Sequence, residues 1–136
     1  MKPKQMVCDW KIAERLKNAG VEQNSMFYWI SQPQGNQLAK DCTKLEYKGV
    51  WRNKDAWEEK KNQEGVKVTI TSAFTSEELA LKIPEGISQT QRYANKFFVY
   101  FLDSQGEIVN YEEDKTESNA RAKMLLNLIQ HKFIKQ

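Results

Sequence analysis

Apolar and polar residues alternate along this chain with two different periods, one helical and one extended. Over 9–19 the apolar residues recur three and four positions apart, a spacing that places them on one helical face. That face consists of Ile12, Ala13, Leu16 and Ala19. Gly20 follows directly, where a left-handed residue commonly ends a helix, so we predict a first helix from about Asp9 to Ala19.

A second helix is predicted to begin after Thr75, where the local signal is strongest. Thr75 and Glu78 have the spacing of a capping box, in which each side chain accepts a hydrogen bond from the other residue's backbone amide. Phe74 and Leu79 have the spacing of the accompanying hydrophobic staple. Pro84 disfavours helical backbone at the residue before it, so this helix should end near position 83.

A third helix is predicted from Thr116 or Glu117 to about Lys132. Its buried stripe should consist of Met124, Leu125, Leu128 and Ile129. Acidic residues near its start and basic residues near its end complement the helix dipole.

Five further segments have the composition or the period of strands: 26–30, 45–51, 66–71, 97–102 and 108–112. The alternation in 45–51 and 66–71 predicts strands buried on one face. Segment 97–102 is apolar at six successive positions, which predicts a central strand covered on both faces. A turn containing Gly106 should join it to 108–112 as a hairpin. The whole pattern predicts one α+β domain over 1–136, in which three helices pack on one side of an antiparallel sheet of about five strands.

The segment 33–65 interrupts this pattern with mostly polar sequence. Residues 33–41 are rich in Gln and Asn and predict a loop. Residues 53–65 are charged and fit either a short polar helix or the tip of an extended hairpin. We therefore expect a polar loop or an extended-hairpin insertion over 33–65.

Composition narrows the class of protein. Hydrophobic residues make up 40% of the 136 residues and charged residues 29%, as in an ordinary soluble globular domain. The 21 basic and 18 acidic residues leave a net charge of +3, a mild preference for anionic partners. Cys8 and Cys42 are too few for a disulfide framework, and Cys8 extends the apolar face of the first helix as a buried thiol. No apolar run approaches the roughly 18 residues of a membrane helix, so we predict a cytoplasmic protein without a membrane partner.

The sequence offers little catalytic chemistry. Its one histidine, His131, cannot form a histidine cluster, and the common phosphate-binding and serine-hydrolase motifs are absent. Asp103 with Glu113-Asp114-Lys115 resembles the acid, acid-x-lysine pattern of metal-dependent nucleases. The predicted hairpin would separate Asp103 from Glu113 by roughly 20 Å, too far for one metal ion. We predict no catalytic residues, no metal and no cofactor, and a nuclease is the least favoured alternative.

Binding is the better-supported class of function. Trp57 lies among charged residues that should keep it out of the core, and an exposed Trp is a common interface anchor, so we expect residues 51–61 to form part of a partner surface. Arg52, Arg92 and Tyr93 lie in loop or strand-edge contexts, where a guanidinium or a ring could bind a phosphate or stack on a base. The candidate binding residues are Trp51, Arg52, Trp57, Arg92 and Tyr93.

Three strings carry a resemblance to a protein family: 13–29 (AERLKNAGVEQNSMFYW), 74–84 (FTSEELALKIP) and 120–129 (ARAKMLLNLI). They resemble segments of small proteins from phages, prophages and gut-bacterial mobile elements, and cover about half of the chain. That family is uncharacterised, so the resemblance implies an origin, and the cytoplasm of a bacterial host, but no activity and no site residues.

Together these observations predict a non-catalytic binding protein of phage or mobile-element type. It would occupy a host protein or sequester a small anionic, nucleotide-like ligand, in an anti-defence role. The alternative is a nucleic-acid-binding accessory protein, which the basic face of Lys44, Lys48 and Arg52 favours. Either function is compatible with a homo-oligomer.

Overall fold

The computed structural model describes the backbone of residues 3–32, 42–47, 54–65, 68–84 and 88–133. These ranges contain five helices: α1 Pro3–Met6, α2 Trp10–Asn18, α3 Lys54–Gln63, α4 Ser76–Lys82 and α5 Glu117–Gln130. They also contain six strands: β1 Phe27–Ser31, β2 Thr43–Tyr47, β3 Thr69–Ala73, β4 Ser88–Tyr93, β5 Lys96–Leu102 and β6 Ile108–Asp114.

The first sheet has the strand order β2-β1-β3, and every pair is antiparallel. Trp29 in the central strand lies opposite Leu45 on one side and Thr71 on the other. Four successive residues are buried in β1 and four in β3, so both faces of this sheet are covered. Trp29 packs into the main core, while Tyr28 and Ile30 form a smaller cluster with Val68 and Ile70.

The second sheet is an antiparallel meander with the order β4-β5-β6. Alternate residues of β5 point to opposite faces, and Val99 and Phe101 join the main core with buried residues of α5. The β4–β5 connection consists of Ala94 and Asn95, both with positive φ, which is the two-residue turn that suits strand twist. The register shifts between Phe101, which is opposite Asn110, and Leu102, which is opposite Ile108, so the extra residue, Val109, lies on β6.

Helix α5 joins the two halves of the molecule. It packs against β5 and β6 of the second sheet and also contacts α4 and α2. Its fully buried residues Met124, Leu125 and Leu128 belong to the same hydrophobic cluster as Leu16 of α2 and Leu79 of α4. Both sheets therefore share one core.

The α+β class is confirmed, but the prediction of one sheet with about five strands is wrong. The described residues form two three-stranded sheets, because 97–102 pairs with its sequence neighbours β4 and β6 and not with the earlier strands. The additional strand is β4, whose sequence SQTQRY is polar and largely exposed. The three predicted helices correspond to α2, α4 and α5, and the described residues add α1 and α3.

Three finer expectations also change. Segment 97–102 is central in its sheet, as predicted, but only Val99 and Phe101 are buried, while Phe98, Tyr100 and Leu102 on the other face are half-buried. Strand β3 is buried on both faces rather than one. Within 53–65 the helical alternative is confirmed by α3, while residues 33–41 and 48–53 lie outside the described residues.

Candidate functional site

A groove of about 580 Å³ opens where α4 and α5 begin. The beginnings of β1 and β5, one strand from each sheet, and the end of α1 complete its walls. The groove therefore lies between parts of the fold that are distant in sequence. Its lining is mostly apolar, and its volume falls in the range of ordinary small-molecule sites.

Four large apolar side chains form the hydrophobic part of this lining: Met6, Met26, Phe27 and Phe97. Met6 and Met26 are 43% and 48% exposed, unusually open for side chains of this type. Methionine is flexible and polarisable, so it adapts to the shape of an aromatic or aliphatic ligand. This wall is suited to hold the apolar body of a small molecule.

The wall at Met26 is fixed by the capping box of α4. The Thr75 side chain accepts a hydrogen bond from Glu78 N, and Glu78 Oε1 accepts one from Thr75 N at 2.9 Å. The other carboxylate oxygen, Glu78 Oε2, accepts a hydrogen bond from Met26 N at 3.0 Å. One glutamate therefore caps the helix and anchors the approach to β1, which confirms the predicted cap and gives it a second role.

The polar end of the groove is the first turn of α5. Thr116 caps this helix by accepting a hydrogen bond from Asn119 N, which leaves the amides of Glu117 and Ser118 without intrahelical partners. Ser118 lines the groove and is only 2% exposed. Within the part of the chain that the structure describes, its Oγ has no hydrogen-bond partner. A buried hydroxyl without a partner is costly. Ser76, which also lines the groove, has a second buried Oγ without a described partner, so two such hydroxyls belong to this lining.

Charged side chains of both signs surround the groove. Lys115 lines the groove and is exposed, and the guanidinium carbon of Arg92 lies 5.7 Å from the centre of the Phe97 ring. Glu117, which also lines the groove, is neutralised by an ion pair with Arg121 at 3.0 Å. Glu77 is the remaining acid in the lining and lies at the start of α4.

A polar network behind the groove holds the start of α5 in place. Asn119 Nδ2 donates to Asp9 and to Asp114, and Asp114 forms an ion pair with Lys123 at 2.8 Å. Burial opposes ionisation of Asp114, but hydrogen bonds from Lys123, Asn119 and Thr116 outweigh it and lower the pKa of this carboxyl. The carboxylate is therefore charged at neutral pH and orients the residues before Ser118.

The candidate residues chosen from the sequence are only partly described. Trp51 and Arg52 lie outside the described residues, and Trp57 is on α3 with its side chain outside the description, so a partner surface at 51–61 stays a prediction. Arg92 and Tyr93 are adjacent at the end of β4 but on opposite faces of the sheet. The Arg92 guanidinium lies over the ring of Phe97, which lines the groove, whereas Tyr93 lies on the other face of the sheet and is exposed.

The groove itself was not foreseen, because its walls come from α1, β1, α4, β5 and α5. Only the capping box of α4 and the predicted start of α5 marked part of it in the sequence. Met6 precedes the first predicted helix and Met26 begins the first predicted strand, but a lone Met in a sequence is usually a core residue.

The nuclease-like residues do not form a site. Asp103 lies at the β5–β6 turn, where its Oδ1 accepts hydrogen bonds from Gln105 N and Glu107 N. Glu113 lies at the far end of β6, opposite Phe98, and pairs with Lys96. No group of three His, Cys, Asp or Glu residues in the described ranges could hold a metal ion. The predicted hairpin is thus confirmed, and it separates the two acids.

The two cysteines differ in burial. Cys8 is fully buried, and burial raises the pKa of its thiol to about 12, as expected for a structural cysteine. Cys42 is half-buried, with its sulfur 3.6 Å from the Ser31 hydroxyl.

No described helix has both the length and the apolar character to cross a bilayer.

Comparison of this chain with models of protein families, with curated proteins and with solved structures finds no match.

Proposed function

We propose that this protein is a non-catalytic binding protein that takes a small organic anion with an apolar or planar body, of the nucleotide type, in the groove between its sheets. The observation that carries the proposal is the buried Ser118 hydroxyl, which lacks a partner among the described residues and lies beside the start of α5. One end of the groove is polar and the other is apolar, so the ligand should have an anionic group at one end and an apolar body at the other.

The anionic group is expected at the first turn of α5. Backbone amides at a helix start and the helix dipole both favour negative charge. Ser118 Oγ supplies a further donor, and Lys115 adds a positive charge at the rim. A phosphate or carboxylate accepts several hydrogen bonds at once, which matches this set of donors.

The apolar body is expected against Met26, Phe27 and Phe97. An aromatic ring of the ligand can pack on the two phenylalanine rings, while the methionine adapts to its outline. The Arg92 guanidinium over the Phe97 ring strengthens the positive potential near this end. An inorganic ion would leave this wall exposed to water, so an organic anion fits better.

Sequestration, rather than turnover, is the proposed outcome of binding. Among the described residues that line the groove, the acids are Glu77 and the ion-paired Glu117, and none is a cysteine or a histidine. The resemblance to phage and mobile-element proteins supports an anti-defence role in a bacterial host, in which a nucleotide signal is removed from its receptor. In a second form of the proposal, residues 51–61 bind a host protein and so occupy it.

Isothermal titration with purine nucleoside monophosphates, cyclic dinucleotides and the matching nucleosides tests the proposal. We expect the phosphorylated compounds to bind and the nucleosides to bind about tenfold more weakly or worse, since one charge-assisted contact is worth about 1.4 kcal/mol or more. Ser118→Ala should weaken binding, whereas Ser104→Ala in the exposed β5–β6 turn should leave it unchanged.

Two results would contradict the proposal. One is the absence of binding by every phosphorylated compound at about 1 mM, the weakest affinity of interest. The other is binding that is equally strong in Ser118→Ala. Binding to polynucleotides alone, with an affinity that falls steeply as salt is added, would instead support the nucleic-acid alternative.

A further inference from the structure

A second cavity, of about 360 Å³, lies between α4, β4, β5 and α5. Among the residues that the structure describes, it shares no lining residue with the groove. Its apolar walls come from α4 and β5, where Ile83 and Val99 are 6% and 0% exposed. The volume is at the lower end of the range for small-molecule sites, so the occupant should be small.

The wall on β4 is polar. Thr90 lies opposite Val99, and Ser88 lies opposite Phe101. Side chains opposite each other on antiparallel strands point to the same face, so both hydroxyl groups are on the side that packs against α5. Both residues are half-buried and line the cavity. The inner face of the sheet is therefore apolar on β5 but able to form hydrogen bonds on β4.

Arg121 lines the cavity from α5. Its two terminal nitrogens are in use, because Nη1 donates to Ser76 O at 3.3 Å and Nη2 donates to Glu117 Oε1 at 3.0 Å. Its Nε is buried and has no hydrogen-bond partner in the described part of the chain. A buried N–H without an acceptor costs free energy, whereas the positive charge is already balanced by Glu117. Arg121 therefore lacks one hydrogen-bond acceptor and not a counter-charge.

We infer that this cavity is a second binding site, which takes a short aliphatic carboxamide. The carbonyl oxygen of the ligand accepts a hydrogen bond from Arg121 Nε, and its amide nitrogen donates to the hydroxyls of Ser88 and Thr90. Its alkyl chain packs against Ile83 and Val99.

A carboxylate of the same shape fits less well. Glu117 already neutralises Arg121, and no other described lysine or arginine lines the cavity. Burial of a further negative charge without a partner is unfavourable. The ligand class therefore differs from the organic anion proposed for the groove, and the inference does not rest on that proposal.

Titration with butyramide, followed by ¹H–¹⁵N correlation spectra, tests the inference. The Nε–H signal of Arg121 and the amide signals of Thr90 and Val99 should shift and saturate at about 10 mM or less, an affinity within reach of a ligand of this size. The Nε–H signal of the exposed Arg92 is the internal control and should not move. Butyrate, which has the same carbon chain, should bind about tenfold more weakly or worse.

Two variants locate the site. Ala80→Leu enlarges a side chain on the α4 wall and should abolish the shifts. Thr90→Val removes one hydroxyl at nearly constant shape and should weaken binding by about threefold or more. Gln91→Val is its control, because Gln91 is exposed on the same strand but on the opposite face. Circular dichroism shows that each variant is folded.

Three outcomes would overturn the inference. The absence of saturable shifts at about 10 mM would mean that the cavity holds only solvent. Equal affinities for butyrate and butyramide would contradict an uncharged ligand. Binding that persists in Ala80→Leu would place the ligand elsewhere. Ser118→Ala, which tests the groove, should leave butyramide binding unchanged, so the two proposals can fail separately.

Discussion

Asp9 and Asn119, 110 positions apart in the chain, hold each other through two hydrogen bonds. Asp9 N donates to Asn119 Oδ1 at 2.7 Å, and Asn119 Nδ2 donates to Asp9 Oδ2 at 2.9 Å. Asp9 is the N-cap residue of α2, yet its carboxylate makes no capping hydrogen bond within that helix. The pair therefore joins the start of α2 to the start of α5, the helix end that forms the polar part of the groove.

Asn119→Ala should lower the free energy of unfolding by about 2–3 kcal/mol, because it removes three part-buried side-chain hydrogen bonds, two with Asp9 and one with Asp114. Chemical denaturation measures the change. Asn127→Ala is the control, since the Asn127 amide donates to the half-exposed Glu112 at 3.2 Å and its loss should cost under about 1 kcal/mol. Equal losses of unfolding free energy in the two variants would mean that the hydrogen bonds of Asn119 stabilise the fold no more than the one between Asn127 and Glu112.

Thr75→Ala should lower the free energy of unfolding by about 1 kcal/mol, because it removes the hydroxyl that caps α4. Thermal melting followed by circular dichroism detects the shift. Thr75→Ser keeps the hydroxyl and should retain most of the stability. An unchanged melting midpoint in Thr75→Ala would show that this cap contributes nothing.

Ala94→Gly should raise the free energy of unfolding by about 0.5–1 kcal/mol. Ala94 has a φ of 52°, a left-handed conformation that costs a residue with a β-carbon more than it costs glycine. Urea denaturation compares it with Ala80→Gly, which places glycine inside α4 and should destabilise by roughly 1 kcal/mol. If both substitutions destabilise, the turn at Ala94 is unstrained.

Asp114→Asn should destabilise the protein at neutral pH and have less effect in acid. The pKa of Asp114 is lowered in the folded state, so its stabilising contribution is present above the unfolded pKa of about 3.9 and is lost as pH falls through the folded value. Denaturation at a series of pH values measures the difference between the two proteins. A difference that stays constant down to the most acidic conditions would contradict the stated pKa direction.

Three of the described helices, α2, α4 and α5, could be predicted because their signals are local. Thr75, Glu78 and Pro84 act on the backbone within a few residues, and α4 begins and ends next to them. The β5–β6 hairpin was predictable for the same reason, since Gly106 adopts a φ of 79° in the turn. Local rules determine such elements before any tertiary contact forms.

The division into two sheets could not be predicted in this way. Strand β4 has no apolar alternation, and it forms because Thr90 and Arg92 lie beside Val99 and Phe97 of a strongly apolar neighbour. The groove escaped prediction because Met6, Phe27 and Phe97 meet only after the chain has folded. Pairing and cavity shape depend on contacts between distant residues, which periodicity does not encode.

The two hydrogen bonds between Asp9 and Asn119 also affect the order in which the chain can fold during synthesis. Residue 9 leaves the ribosome early, but its partner and the buried residues of α5 emerge more than a hundred residues later. Contacts of such long sequence separation form slowly, because a large loop must close first. We expect ribosome-bound chains that end before α5 to remain sensitive to protease, and chains that expose all of α5 to become resistant. Resistance that appears before Asn119 has emerged would show that the first sheet folds independently.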